Sequence, residues 1–177
     1  DSTVVTIITA DGYILDWLEL VGDDYNQQYM KIKNFLVPTY IKGVKAIYCD
    51  STGNQDMGVD QLRSMLKEFG TNVIGVKFTA QNNDERYKNL HSLMVPKTMD
   101  ERVIEPPFIK IPLENRPEKD KFLVQFSDLQ KDIKNNLWCC DAPEGSGYHD
   151  DFADSMSLCA LGIKSTKKNR RVSFFAR

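Results

Sequence analysis

Residues 44–78 read VKAIYCDSTGNQDMGVDQLRSMLKEFGTNVIGVKF, and this stretch sets the fold class. Apolar and β-branched residues at 44–50 predict a strand that ends at Asp50. Helically spaced apolar residues at 59–69 predict a helix, and residues 72–78 predict the next strand. A strand, a helix and a strand in this order are typical of neighbouring parallel strands in an α/β sheet.

The sequence before this unit predicts an antiparallel hairpin and a helix. Residues 3–9 and 13–20 are rich in β-branched and apolar side chains, as strands are. Asp11 and Gly12 between them form a strong two-residue turn signal, so the two strands pair as a hairpin. Residues 24–39 carry apolar side chains at helical spacing.

The sequence after this unit predicts five further elements. They are a helix at 82–95, an extended segment at 103–112, a helix at 117–134, a strand at 137–141 and a helix at 150–162. No internal domain boundary interrupts the chain, so residues 1–177 predict one α/β domain with a mixed β-sheet.

Composition narrows the class of protein. The hydrophobic fraction of 41% and the charged fraction of 27% are ordinary for a globular domain, and the net charge is −2. No apolar run approaches the roughly 20 residues of a membrane span. The spacing of Cys49, Cys139, Cys140 and Cys159 does not match a zinc site, which favours reduced cysteines in the core.

Two acidic signals, distant in sequence, are the main functional candidates. Asp50 ends a predicted strand, at the side of an α/β sheet where ligands bind. Asp150, Asp151 and Asp154 follow His149 and open the last predicted helix, where spacings of three and four place acids on one face. Converging carboxylates repel one another unless a cation lies between them, and oxygen ligands suit Mg²⁺ or Mn²⁺. Metal-assisted attack on a phosphate is the predicted chemistry.

Each of these residues also has a structural interpretation. Asp50 can cap the turn that follows it. Acids in a first helical turn interact favourably with the helix dipole, by roughly 0.3–1 kcal/mol each. His149 can be a metal ligand, a proton donor to the scissile phosphate, or a loop residue. On the residues alone, metal binding and helix capping both account for the acidic cluster at 150–154.

Basic residues give a weaker indication of nucleic-acid binding. The segment 164–171, KSTKKNRR, holds five basic residues and no acid, so it is either a solvated tail or a tail that contacts phosphates. The same two interpretations apply to a scattered set of lysines. These are Lys77, Lys88, Lys97, Lys119 and Lys121.

At three places the chain resembles the C-terminal nuclease domain of the large terminase subunit of tailed bacteriophages. The first is the opening hairpin that begins DSTVVTII at residues 1–8, and the second is YCDS at 48–51. The third is Ala142-Pro143 followed by HDDFADS at 149–155, similar to the His-Asp-Asp motif that leads into an Ala/Leu-rich helix in that family.

The resemblance implies an RNase H-like fold, with a mixed β-sheet flanked by helices on both faces. It also implies a two-metal site for Mg²⁺ or Mn²⁺ and an endodeoxyribonuclease activity. Asp50 and Asp151 would hold the catalytic metals, Asp150 and Asp154 would be auxiliary ligands, and His149 would lie beside them. The family's first acid is on a strand before the opening hairpin, so we expect that strand upstream of Asp1 and the chain to be a fragment.

The resemblance further implies a DNA-packaging motor as the whole protein. An N-terminal ATPase would pump double-stranded DNA, with the portal and the small terminase subunit as partners, in the cytoplasm of the infected bacterium. This domain would cut the concatemer when packaging begins and ends, and no membrane partner is expected. The alternatives are another RNase H-like nuclease, such as a resolvase or transposase relative, and a DNA- or portal-binding module without catalysis.

Overall fold

The structure is a computed structural model that describes residues 2–53, 56–145, 147–169 and 174–176. The strands within these ranges are β1 (Ser2–Ile8), β2 (Ile14–Val21), β3 (Ala46–Asp50), β4 (Asn72–Val76), β5 (Lys97–Met99), β6 (Arg102–Glu105), β7 (Gln130–Lys134), β8 (Leu137–Asp141) and β9 (Phe174–Ala176). The helices are α1 (Tyr25–Thr39), α2 (Asp56–Leu66), α3 (Ala80–Met94), α4 (Pro117–Asp128) and α5 (Asp151–Asn169).

Five strands form one mixed sheet in the order β2-β1-β9-β3-β4. Strand β1 is antiparallel to both β2 and β9, whereas β3 is parallel to both β9 and β4. The predicted hairpin, the predicted parallel pair and the mixed sheet are therefore confirmed. The predicted two-residue turn of the hairpin is wrong, because the Thr9 N–H donates to the Tyr13 carbonyl and leaves three residues, 10–12, in the turn. Because β3 is an interior strand, its apolar side chains are covered on both faces, as its sequence indicates.

Alternation along β1 divides the core into two halves. Val4 and Ile8 belong to the cluster that contains side chains of α3, α4 and α5. Val5 and Ile7 belong to the cluster that contains side chains of α1 and α2. Since successive side chains of a strand point to opposite faces, the sheet has helices on both sides. None of the described helices is long and apolar enough to cross a membrane.

The predicted helix at 117–134 is wrong over its last six residues, 129–134. Helix α4 ends at Asp128, and the residues after it form β7, which pairs with β8 as an antiparallel hairpin. Asn135 and Asn136 connect the two strands with φ values of 50° and 64°. Asparagine tolerates this left-handed conformation, which a two-residue hairpin turn requires. The helical spacing of Ile133 is coincidental, since that side chain is 60% exposed.

A second hairpin is only partly predicted by the sequence. The extended segment at 103–112 is confirmed where it forms β6, but its partner β5 has no counterpart among the predicted elements. Asp100 and Glu101 make the turn with positive φ values of 48° and 64°. Both strands of this hairpin are exposed along their length.

The four cysteines carry free thiols, as the sequence predicts. Cys49, Cys140 and Cys159 are buried, and Cys139 is half-buried. Burial raises the pKa of Cys49 to about 12 and that of Cys140 to about 11. Burial also raises the pKa of the Cys159 thiol well above its usual value. The thiolate is the reactive form of cysteine. These three thiols are therefore protected from modification in two ways, because burial limits the access of reagents and the raised pKa keeps the thiols protonated.

We expect iodoacetamide at pH 8 to modify Cys139 before the other cysteines of the native protein. Timed alkylation followed by tandem mass spectrometry separates Cys139 from its neighbour Cys140. In urea, all four thiols should react at similar rates, which controls for differences in peptide recovery. Equal native reactivity at Cys49 and Cys139 would contradict the burial of Cys49 in the core.

Candidate functional site

A pocket of about 550 Å³ lies at the carboxyl end of β3 and contains both principal acids. Asp50, the last residue of β3, and Asp151, the first residue of α5, both line it. Its walls also include residues at the starts of β1, α1 and α2. The fold therefore places in one pocket two acidic residues that the sequence separates widely.

Asp50 is held by the turn that follows β3. Its Oδ1 accepts hydrogen bonds from the backbone N–H of Thr52 at 2.8 Å and from the Thr52 hydroxyl at 2.6 Å. The Thr52 hydroxyl oxygen in turn accepts the backbone N–H of Phe78 at 2.8 Å, which connects this turn to the end of β4. Asp50 thus caps its turn, as the structural interpretation has it, and lines the pocket as well.

Asp151 is fixed between α5 and β1. The carboxylate Oδ2 accepts the Ser2 hydroxyl at 2.8 Å and the Ser2 backbone N–H at 3.4 Å. Asp151 is only 5% exposed. The next amide of the helix, that of Phe152, donates to Gln125 of α4 at 2.8 Å. The first turn of α5 is therefore anchored from two other elements, and this anchoring sets the position of Asp151.

His149 lies beside Asp151, but its side chain lines a different pocket. Its Nδ1 is 4.0 Å from Asp151 Oδ2, and its side chain is 52% exposed. It lines a second pocket of about 510 Å³, between β2 and α4, to which Ser2 also contributes. An imidazole in this position can exchange protons with solvent next to the carboxylate pocket.

Asp154 has a different environment, buried between α3 and α5. Its Oδ1 accepts the Tyr87 hydroxyl at 2.8 Å and lies 3.3 Å from both terminal nitrogens of Arg86. Arg86 is fully buried, and one of its terminal nitrogens also donates to the Ser157 hydroxyl at 2.5 Å. Burial and the Asp154 charge raise the pKa of Tyr87, so its hydroxyl stays protonated and donates. Asp154 is absent from the pocket lining, so this placement gives no support to its prediction as an auxiliary metal ligand.

Asp150 immediately precedes α5 and is half-buried. Its backbone carbonyl accepts the Asp154 N–H at 2.8 Å, which starts the helical hydrogen-bond pattern. Its charge is among the influences that raise the pKa of Tyr87. Asp150 does not line the pocket that holds Asp50 and Asp151, so its predicted ligand role stays a prediction.

Four acidic side chains line the pocket. Asp23 and Asp24 line it together with Asp50 and Asp151. Asp23 forms an ion pair with Lys31 at 2.7 Å, and Asp24 caps α1 by accepting the Gln27 N–H at 2.9 Å. The described residues that line the pocket include no lysine and no arginine. Such a pocket disfavours an anion and favours a cation.

The donor set fits a hydrated divalent cation held by two carboxylates. Within the part of the chain that the structure describes, no group of three or more His, Cys, Asp or Glu side chains is arranged around one metal position. Magnesium does not require such a group, because it keeps several waters and binds proteins through one or two carboxylates. Asp50 and Asp151, which line one pocket, could supply these two carboxylates.

Each of the scattered lysines contacts a neighbouring acidic or carbonyl group, and Lys121 also lines the second pocket with His149. Four of them pair with carboxylates, and the fifth donates to backbone carbonyls. The pairs are Lys77 with Asp56, Lys88 with Asp84, Lys97 with Glu105 and Lys121 with Glu19, and Lys119 contacts the carbonyls of Leu113 and Glu114. The side chains of the basic segment 164–171 lie outside the described part of the chain.

Sequence reasoning missed the residues that position the acids. Ser2 and Thr52 are short hydroxyl side chains without a motif, so nothing marked them as partners of Asp151 and Asp50. Arg86 had a signal, because it lies four residues before Leu90 and seven before Leu93 on the buried face of α3.

Comparisons of the chain with protein-family models, curated proteins and solved structures found no match.

Proposed function

We propose that this domain is a divalent-metal-dependent endonuclease that hydrolyses phosphodiester bonds of double-stranded DNA. The observation that carries the proposal is that Asp50 and Asp151 line the same pocket, whose described lining has no basic residue. An acidic pocket of this kind can receive a phosphate only together with cations. Mg²⁺ or Mn²⁺ fits the oxygen donors.

The residues of the pocket would have two different roles, cation binding and orientation of the carboxylates. Asp50 and Asp151 would hold the cations, which lower the pKa of a bound water and offset the charge of the phosphate. The hydroxyls of Thr52 and Ser2 hold these carboxylates in fixed orientations through bonds of 2.6 Å and 2.8 Å. Carboxylates that are oriented before the substrate arrives need little reorganisation during the reaction.

His149 would donate or accept a proton next to the pocket. Its Nδ1 lies 4.0 Å from Asp151 Oδ2, and its exposed ring has access to solvent. A protonated imidazole beside the scissile bond can give its proton to the departing oxygen, a general-acid role. A neutral imidazole in the same place can accept a proton from water.

The resemblance to phage terminases gives the finer proposal. In that setting the domain would cut concatemeric viral DNA during packaging, with the portal and the small terminase subunit as partners. The mixed sheet and the acid at the end of an interior parallel strand support an RNase H-like assignment. Another RNase H-like nuclease would share these features, and a non-catalytic binding module would keep the surface without the chemistry.

Cleavage of supercoiled plasmid tests the proposal. We expect nicked and then linear DNA in Mg²⁺ or Mn²⁺, no product in EDTA, and recovery of cleavage when excess metal is added back. Conversion to the linear form identifies cutting of both strands. Metal-independent binding of the plasmid without any cleavage would contradict the nuclease proposal and favour the binding module.

A further inference from the structure

One wall of the acidic pocket is formed by one face of α1. Tyr25, Gln28, Tyr29 and Ile32 all line the pocket, and their spacing of three, four and seven residues places them in one row along the helix. Gln28 is fixed within this row, because its side-chain oxygen accepts the Thr3 hydroxyl at 2.8 Å. The row begins with aromatic side chains and ends in the apolar core.

The two tyrosines differ in exposure. Tyr25 is 64% exposed, which is high for an aromatic side chain that lines a cavity. Tyr29 is half-buried, and its hydroxyl lies so close to Gly58 that a Cβ atom at that position would overlap it. Burial raises the pKa of Tyr29, so its ring is neutral at physiological pH. Gly58 of α2 therefore allows a neutral aromatic ring to occupy this wall.

The pocket thus has two chemically different ends. The Asp50 and Asp151 end suits a phosphate accompanied by cations, as proposed above. The other end combines two aromatic rings with Asp24, which directly precedes Tyr25, and with the nearly buried side chains of Val59 and Leu62. That end contains no lysine or arginine among the described lining residues, so it favours a neutral planar group over an anionic one. A nucleotide has both parts, a phosphate and a neutral planar base.

We propose that Tyr25 and Tyr29 form a subsite for one unpaired nucleobase of the DNA strand that is cut. This inference rests on the nuclease function proposed above and specifies its substrate. The base stacks on the tyrosine rings. A paired base cannot enter such a pocket, because its edge and faces are occupied in the duplex. The domain therefore prefers mismatched, frayed or single-stranded positions at its cut site.

Binding of two matched duplexes tests the subsite. Each carries a single 2-aminopurine, which is paired with thymine in one duplex and placed opposite an abasic position in the other. Measurements in Ca²⁺ report affinity by anisotropy and stacking by quenching of 2-aminopurine fluorescence. We expect the wild type to bind the unpaired probe about tenfold more tightly than the paired one, since stacking on an aromatic side chain has an effect of this order.

Substitutions at Tyr25 test whether the preference for the unpaired probe depends on the tyrosine rings. Tyr25→Ala should abolish the tenfold preference and the quenching, whereas Tyr25→Phe should retain both. Tyr13→Ala is the matched control, because Tyr13 is 49% exposed and does not line the pocket. Melting curves of the variants check folding, and the exposure of Tyr25 predicts little change.

The outcomes separate this inference from the nuclease proposal. An undiminished preference in Tyr25→Ala, or equal binding of both probes by the wild type, would overturn the base subsite and leave plasmid cleavage unaffected. Loss of the preference in Tyr25→Ala together with retained cleavage by Asp151→Asn would support the base subsite and overturn the proposed catalytic site.

Discussion

The Asp151→Asn variant should lose metal-dependent DNA cleavage by roughly 10³-fold or more, because it loses a charge that would hold the cations in the proposed site. Asparagine keeps the size of the side chain and an oxygen that can accept the Ser2 hydroxyl, which lies 2.8 Å from the native carboxylate. We therefore expect the melting temperature to stay within a few degrees of the wild type. Plasmid cleavage and thermal unfolding of the same preparation provide the two measurements.

A purely structural role for Asp151 predicts the opposite pair of results. Loss of a helix-capping carboxylate lowers stability by about 1 kcal/mol and leaves cleavage intact. Asp132→Asn is a suitable control, since Asp132 is an exposed residue of β7 that lies outside the pocket. Normal cleavage by Asp151→Asn, with a lowered melting temperature, would refute the catalytic assignment.

The Arg86→Met variant should be strongly destabilised, far more than Asp151→Asn or Tyr25→Ala. It removes a fully buried cation and leaves the Asp154 carboxylate buried between α3 and α5. Breaking a buried ion pair from one side costs about 3–5 kcal/mol. The Arg86 guanidinium also stacks over the Phe78 ring at 3.5 Å, and that contact is lost as well. Urea unfolding followed by circular dichroism measures the change.

A second substitution distinguishes an unpaired charge from lost packing. Adding Asp154→Asn to Arg86→Met removes the buried carboxylate that has lost its cation. The asparagine keeps an acceptor for the Tyr87 hydroxyl, which lies 2.8 Å from the native Asp154 Oδ1. We expect the double variant to be more stable than Arg86→Met alone. If Asp154→Asn by itself abolished metal binding without loss of stability, Asp154 would be the auxiliary ligand that the sequence predicted.

Local patterns predicted those parts of the fold that depend on neighbouring residues. The Asp11-Gly12 turn predicted the β1–β2 hairpin, and the order of strand, helix and strand predicted the parallel pair β3–β4. The end of β3 then indicated where a ligand would bind, and Asp50 does line a pocket there. These features could be predicted because strand alternation and turn chemistry are visible within short windows.

Other features depend on contacts between distant segments and could not be predicted in this way. The helical spacing of Ile133 concealed a hairpin that the conformations of Asn135 and Asn136 set. Asp154 shares a helix face with the acids before it, yet the packing of α3 directs it to Arg86. Spacing reveals which side chains share a face, whereas the partner of that face is decided by tertiary packing.

The most direct test of the proposed metal site is the affinity of the protein for Mn²⁺, measured by electron paramagnetic resonance without DNA. The central claim is that Asp50 and Asp151 share one cation site in their common pocket. Asp50→Asn and Asp151→Asn should each weaken Mn²⁺ binding by at least about tenfold, because each removes one of the two carboxylates. Asp132→Asn should bind Mn²⁺ as the wild type does. Undiminished Mn²⁺ affinity in either pocket variant would contradict the shared site.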